Sequence, residues 1–286
     1  MRNSLANALG QCWTPCPILD GVGRASYDGG FSGHILCNGR VTDMKLAGKT
    51  ALVTGGGSGI GLGIAQGLAA EGCRVAIAGR RGEVLREAAA AWIGKPPMLT
   101  HEVDVADRKS VEKLFAWQEK ELGPLDFLIN SAGINIKTRS MAAMTPEQWD
   151  HVMQVNATGV YNCMYFALPQ MRKKKDGVIV NISSTSGKRA GALGGIAYNA
   201  SKFAVTALGI AAGSEEIPNG IRITNVYPGE VNTPILEHRP APVSDERKAK
   251  MQLPEDVAQL VVAIVQLHPR AHVPEIVIKP LTQEWM

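Results

Sequence analysis

Tyr198 and Lys202 stand four positions apart in the run Tyr198-Asn-Ala-Ser-Lys202. On a helix this spacing puts both side chains on one face. Upstream lies Thr54-Gly-Gly-Gly-Ser-Gly-Ile-Gly61, where Gly55, Gly59 and Gly61 follow an apolar run and open a stretch of helical period. Glycines in that context let the backbone turn tightly and approach a pyrophosphate, which then meets helix N-terminal amides. A glycine loop alone is weak in a chain with 31 glycines, and a Tyr/Lys pair alone occurs on many surface helices. Together they combine a dinucleotide site with a proton carrier. A free phenol titrates near ~10, so on the order of 0.1% is ionised at neutral pH. A nearby ammonium is expected to lower that pKa. About three units, or ~4 kcal/mol, is within reach of a desolvated cation acting with an oxidised nicotinamide ring. Tyr198 could then take or give a hydroxyl proton while a hydride moves.

The end of the second expected strand bears on the cofactor. An NAD site usually places Asp or Glu there to bond the ribose 2′-hydroxyl. This chain reads Val75-Ala-Ile-Ala-Gly79-Arg80-Arg81. A carboxylate would repel a 2′-phosphate, whereas arginine can hold one with two parallel hydrogen bonds. The expected cofactor is NADP(H). Asp104-Val105 ends the third strand, where the carboxylate could accept from an adenine amino group or serve as a helix-start residue.

The elements that must position these groups alternate. Strands are expected at 50–54, 74–78, 99–103, 127–130, 178–182, 222–226 and 275–278. Helical spacing covers 60–71, 83–92, 107–122, a long stretch 149–172 bent near Pro169, 198–217 and 254–267. Alternation of this kind predicts an α/β fold: a single Rossmann-type, doubly wound parallel sheet with helices on both faces.

The chain has 286 residues, 45% hydrophobic and 20% charged, which suits one large domain. Residues 1–43 show neither helical nor strand periodicity, and no signal or transit pattern. They read as an extension that is disordered or mis-started, before a domain over 44–286. A net charge of +4 is modest. The basic run Arg172-Lys-Lys-Lys175 is expected to end a helix, where cations oppose the dipole, rather than to bind nucleic acid. No stretch reaches the ~18 apolar residues of a membrane span. The five cysteines suit neither a disulfide framework nor a zinc site and read as reduced thiols in a cytoplasmic protein; no metal is expected. Residues 234–253, with His238, Arg239, Arg247, Lys248 and Lys250 against Glu237, Asp245 and Glu246, are expected to form a lid. Its positive balance could favour a carboxylate-bearing substrate.

From about residue 44 onward the chain resembles the short-chain dehydrogenase/reductase family. Asn130-Ser-Ala-Gly133 resembles that family's N-N-A-G strand end, with serine at the second asparagine. Asn156 in Val-Asn-Ala-Thr-Gly falls at the helix asparagine that anchors a relay water. Ser184 falls at the substrate-orienting serine, with Ser183 as a lesser candidate. The resemblance implies a tetrad of Asn156, Ser184, Tyr198 and Lys202, with Lys202 also bonding the nicotinamide ribose. It implies cofactor contacts from Gly55, Ser58, Gly59, Ile60 and Gly61, then Arg80, Arg81, Asp104 and Val105. Further contacts would come from Asn130, Ala132, Gly133, Pro228, Gly229, Val231 and Thr233. Two departures stand out. Ser58 occupies a position where NADP-binding members often carry Arg or Lys, and the C-terminus lacks the D-G-G ending of carrier-protein ketoacyl reductases. The ending Glu275-Ile-Val-Ile-Lys-Pro280 is similar to members that oxidise serine and 3-hydroxy acids and to their broad-range carbonyl-reducing relatives. The implied activity interconverts a carbonyl and an alcohol, a small 3-hydroxy compound first. A 3-oxoacyl thioester reductase and a silent NADP-sensing protein are the alternatives. The resemblance further implies a homodimer or homotetramer using helices near 150–172 and 198–217, with no nucleic-acid or membrane partner.

Overall fold

The computed structural model describes residues 34–37, 40–43 and 45–284. Two four-residue strands, β1 (His34–Cys37) and β2 (Arg40–Asp43), form an antiparallel hairpin. No strand periodicity marks these residues in the sequence. Four residues per strand are too few for alternation to show in sequence. Residues 1–33 lie outside the described residues.

The main sheet has seven strands, all parallel: β3 (Thr50–Thr54), β4 (Arg74–Gly79), β5 (Leu99–Glu102), β6 (Phe127–Asn130), β7 (Gly177–Ile182), β8 (Ile221–Pro228) and β9 (Glu275–Ile278). Their order is β5-β4-β3-β6-β7-β8-β9. The chain builds outward from β3 in one direction, then returns to β6 and builds the other way. The crevice at the carboxyl ends of β3 and β6 is therefore the topological switch point, where open α/β sheets bind ligands.

Period-two alternation splits the core into two layers. Ala51, Val53, Val75, Ile77, Phe127, Ile129, Val178 and Val180 point to one side. There they pack with α1 (Gly59–Ala70), α2 (Gly82–Ala91) and α8 (Pro254–Val265). Leu52, Ala76, Ala78, Leu128, Ile179, Ile221 and Ile223 point to the other, against α3 (Arg108–Leu122), α5 (Gly159–Lys174) and α6 (Ile196–Glu216). Asp107 caps α3 by accepting from the Lys109 amide at 2.9 Å, inside the expected helix limit.

The expected single helix over 149–172 is a composite. It begins earlier as α4 (Pro146–Met153), widens into a π turn over Gln154–Thr158, and resumes as α5. Thr145 and Gln148 form a capping box at the true start, with bonds of 3.3 and 3.1 Å. The interruption sits at Asn156, ahead of Pro169, which lies inside α5. The basic run does end this helix. Arg172 pairs with Glu216, Lys174 with Asp126, and Lys175 donates to Asn219 at 2.8 Å. The lid contains a 3-10 turn (Pro234–His238) and the short α7 (Asp245–Lys248), which the sequence reading did not separate.

Candidate active site

The carboxyl edge of the sheet opens into one cavity of about 910 Å³ that runs from the glycine loop to the lid. At its β3 end, Gly55 takes φ +68°, and a Cβ there would lie 2.8 Å from the Ala132 backbone across the switch point. A Cβ on Gly61 would lie 2.3 Å from the Gly55 carbonyl oxygen. These two glycines therefore let loop and helix close on each other as a phosphate cradle requires. The first turn of α1 carries no acidic residue, and the Ser58 hydroxyl makes no capping bond. Arg81 reaches Ser58 at 3.5 Å, and Arg80 and Arg81, both exposed, line the wall beyond β4. These amides and guanidinium groups fit a dinucleotide phosphate.

The chemical end stands on α6. Gly195 precedes the helix at φ +80°, and Tyr198 follows in its first turn. One turn on, Lys202 is 5% exposed, donates to the Ile182 carbonyl at 2.8 Å, and lies 5.6 Å from the centroid of the Tyr198 ring. Burial pulls the Lys202 ammonium down to about 8. Burial also pushes the Tyr198 phenol upward, against the pull of the Ser184 hydroxyl and the Arg139 charge. In the protein without a bound dinucleotide, desolvation outweighs these pulls and keeps the phenol protonated.

Ser183 and Ser184 both border the cavity, but they differ. Ser183 is 3% exposed and its hydroxyl donates to the Lys202 carbonyl at 3.1 Å. Ser184 is the one whose hydroxyl acts on Tyr198. Asn156 is fully buried behind them and does not line the cavity. Its Nδ2 donates to the Ile134 carbonyl at 2.9 Å and to Ser201 Oγ at 3.0 Å, and its Oδ1 accepts from the Ile134 amide at 2.8 Å. Both amide N–H bonds are used, so a relay water would find only the spare lone pair of Oδ1 or the backbone.

Of the expected cofactor contacts, Gly55, Ser58, Gly59, Ile60, Gly61, Arg80, Arg81, Val105, Ala132, Gly133, Pro228, Gly229, Val231 and Thr233 line the cavity. Asp104 and Asn130 do not. The Asp104 carboxylate accepts from the Ala106 amide at 3.0 Å and so turns the loop between β5 and α3, whose cap is Asp107 instead. Asn130 faces the interior. Its Nδ2 donates to Asn181 at 2.9 Å, Asn181 donates to Asn225 at 3.2 Å, and Asn225 to the Thr206 carbonyl at 3.0 Å. These three asparagines are register partners on β6, β7 and β8. They form a buried amide chain beneath the site that ends on α6. Periodicity does not show this chain, because it depends on register.

Among the cavity residues that escaped the sequence reading or were given other work are Arg139, Glu230, Arg239 and Gln283. Glu230 Oε1 receives Arg239 Nη2 at 2.8 Å and Arg247 Nη2 at 2.7 Å, and those two charges hold its carboxyl below the usual range against its own burial. The Glu230 amide in turn donates to Gln283 at 2.8 Å, tying the C-terminal segment to the lid.

The family model described as short chain dehydrogenase matches residues 49–243. The chain belongs to the short-chain dehydrogenase/reductase family. Glycine betaine reductase ATRR of Emericella nidulans is 35% identical over 243 residues, 82% of this chain, which spans only 19% of that longer protein. D-beta-hydroxybutyrate dehydrogenase of Cupriavidus necator is 34% identical over 193 residues, 67% of this chain and 74% of the other. Among solved structures, the closed form of a serine dehydrogenase complexed with NADP⁺ matches with a TM-score of 0.75 and 27% identity, over 82% of this chain and 96% of that one. Other solved neighbours are complexed with NADP or NADH. This short-chain dehydrogenase/reductase is accordingly an oxidoreductase of the nicotinamide-using class. Among the described residues no helix is long and apolar enough to cross a membrane, and no cluster of side chains could hold a metal ion.

Proposed function

We propose that the protein is an NADP(H)-dependent oxidoreductase that interconverts a small carbonyl compound and its alcohol, with Tyr198 as general acid and base. The observation that carries this reading is the convergence of Tyr198, Lys202 and Ser184 on the cavity that the glycine loop and Arg80 also line. When bound, the cofactor supplies or accepts the hydride. Ser184 would donate to the substrate oxygen and hold it beside the phenol. In reduction, Tyr198 gives its proton to that oxygen as the carbonyl carbon gains the hydride. In oxidation, the proton returns to Tyr198 from the alcohol. The raised phenol favours the acid role at neutral pH. Lys202 adds positive charge when protonated and would hold the nicotinamide ribose. Asn156 would position the Ile134 peptide and the first turns of α6 through Ser201, whose hydroxyl donates to the Tyr198 carbonyl at 2.8 Å.

The NADP preference rests on Arg80 and Arg81 and on the absence of a carboxylate at the β4 end. A 3-hydroxy acid is the first substrate class, supported by the likeness to D-beta-hydroxybutyrate dehydrogenase. The domain would span 44–286 in the cytoplasm, where the buried, unpaired thiols of Cys73 and Cys163 stay reduced. A second copy of the chain is the proposed partner. Tyr161 and Tyr165 on α5, with Phe203 and Ile210 on α6, are large apolar groups left exposed on the two helices of the expected interface.

The test is reduction of NADP⁺, with NAD⁺ in parallel, across hydroxy acids, sugars and secondary alcohols. Turnover with NADP⁺ supports the reading. Silence there but turnover of ketoacyl thioesters with NADPH would replace it with the thioester reductase. Cofactor binding without any turnover would replace it with a sensor.

A further inference from the structure

The cations of the lid do not form the anion site that their number suggests. Arg239 and Arg247 share Glu230, and Lys248 pairs with Asp245 at 3.3 Å. Lys250 is exposed to solvent. At the chemical end of the cavity, Arg139, in the loop after β6 and about a hundred residues ahead of the lid, is like Lys202 a cation without an ion pair among the described residues, and it differs from Lys250, which also lines the cavity, in being half-buried and held in place.

Arg139 is half-buried and makes no ion pair among the described residues. Its Nε donates to the Ile136 carbonyl at 2.8 Å, Nη1 to the Leu193 carbonyl, and Nη2 to the His238 carbonyl at 2.8 Å. A guanidinium has five N–H donors, so one remains on each terminal nitrogen. Carbonyl dipoles orient the group without cancelling its charge. A half-buried cation in that state gains more from a carboxylate than a solvated one does.

The seat of Arg139 is fixed relative to Tyr198. Its carbonyl accepts from the Ile196 amide at 3.1 Å, in the first turn of α6. Gly195 leaves room for the side chain, since a Cβ there would lie 2.5 Å from Arg139 Cβ. The Arg139 charge is close enough to act on the Tyr198 phenol. One helix start thus places an acid/base group and an open cation in the same cavity.

We propose that Arg139 receives the carboxylate of the substrate, which makes the substrate a hydroxy acid and its product an oxo acid. This rests on the reading of Tyr198 given above. The same guanidinium holds the lid through His238, so the anion and the lid would meet at one group.

The test compares each hydroxy acid with its neutral primary amide, using 3-hydroxybutyrate and 3-hydroxybutanamide first, on the full chain with NADP⁺. Wild type is expected to favour the acid in kcat/KM by about 30-fold, mostly in KM, and Arg139→Gln to bring the ratio to about one. Arg139→Lys, which keeps the charge but loses the fork, should fall between them. Calorimetry with the same two compounds gives a second readout: the acid should bind wild type and not Arg139→Gln. A wild-type ratio near one needs no variant and overturns the assignment while leaving the oxidoreductase reading intact, as does a ratio that survives Arg139→Gln. Arg139-dependent binding of the acid without turnover overturns the reaction instead. Neither turnover nor binding overturns both.

Discussion

Lys202 Nζ lies 5.6 Å from the centroid of the Tyr198 ring, yet its hydrogen bond goes to the Ile182 carbonyl at the end of β7. The lysine is thus tied to the sheet, and it touches the tyrosine through space rather than through a bond. Burial presses both groups towards their neutral forms.

Replacement of Tyr198 by phenylalanine removes the proton carrier and keeps the ring. Turnover should fall by about 10²–10⁴-fold, while NADPH affinity, followed by fluorescence titration, should change little. Retained turnover would refute the assigned acid/base.

The depressed Lys202 pKa makes stability depend on pH. The folded value is about 8, against ~10.4 in an unfolded chain. Below about 8 the group is charged in both states and its burial cost is fully present. Between the two values the unfolded chain holds more protons, so stability rises with pH, by at most about 1.4 kcal/mol per unit from this group. Urea midpoints of wild type should therefore gain on those of Lys202→Met between pH 8 and 10. A constant difference would show that the lysine titrates normally.

Gly79→Asp combined with Arg80→Ile should move preference from NADP(H) towards NAD(H). The aspartate has room, since a Cβ on Gly79 meets only Leu85 Cδ2 at 3.8 Å. About a tenfold or larger shift in the ratio of kcat/KM values is expected for loss of a charge-assisted contact. An unchanged ratio would mean that a 2′-phosphate is held elsewhere.

Gly61→Ala should damage fold and cofactor site together. Its methyl would lie 2.3 Å from the Gly55 carbonyl oxygen and 2.8 Å from the Gly55 carbonyl carbon, both backbone atoms that cannot swing aside. A cost of about 1–3 kcal/mol is expected, read from denaturant midpoints, along with weakened NADPH binding. A variant with wild-type stability and affinity would show that the loop can open.

Removal of residues 1–43 should leave kcat and KM unaltered. A soluble truncation without activity would make that segment, including the β1–β2 hairpin, part of the working protein.

Local features carried much of this. The run Thr50–Thr54 is a strand because its neighbours on both faces are apolar, and the glycines after it announce a turn. Tyr198 and Lys202 needed only the helical repeat to be placed together. The start of α4 was also legible in Thr145-Pro-Glu-Gln148, a capping-box pattern that the broad helical period at Trp149 obscured. Asp104 shows the reverse: an aspartate just past a strand can face a ligand or its own loop, and its bond to the Ala106 amide is decided by local backbone geometry.

The sequence by itself determined the alternation of strands and helices, the glycine loop, the Tyr198/Lys202 pair and the family, because each depends on residues close together in the chain. Only the tertiary structure decided the rest. Register brought Asn130, Asn181 and Asn225 into one amide chain, burial pushed the Tyr198 phenol upward in the protein alone, and folding spent Arg239 and Arg247 on Glu230 while leaving Arg139 without an ion pair among the described residues. Charge, solvation and pairing depend on which distant groups share a space, and local spacing carries no record of that.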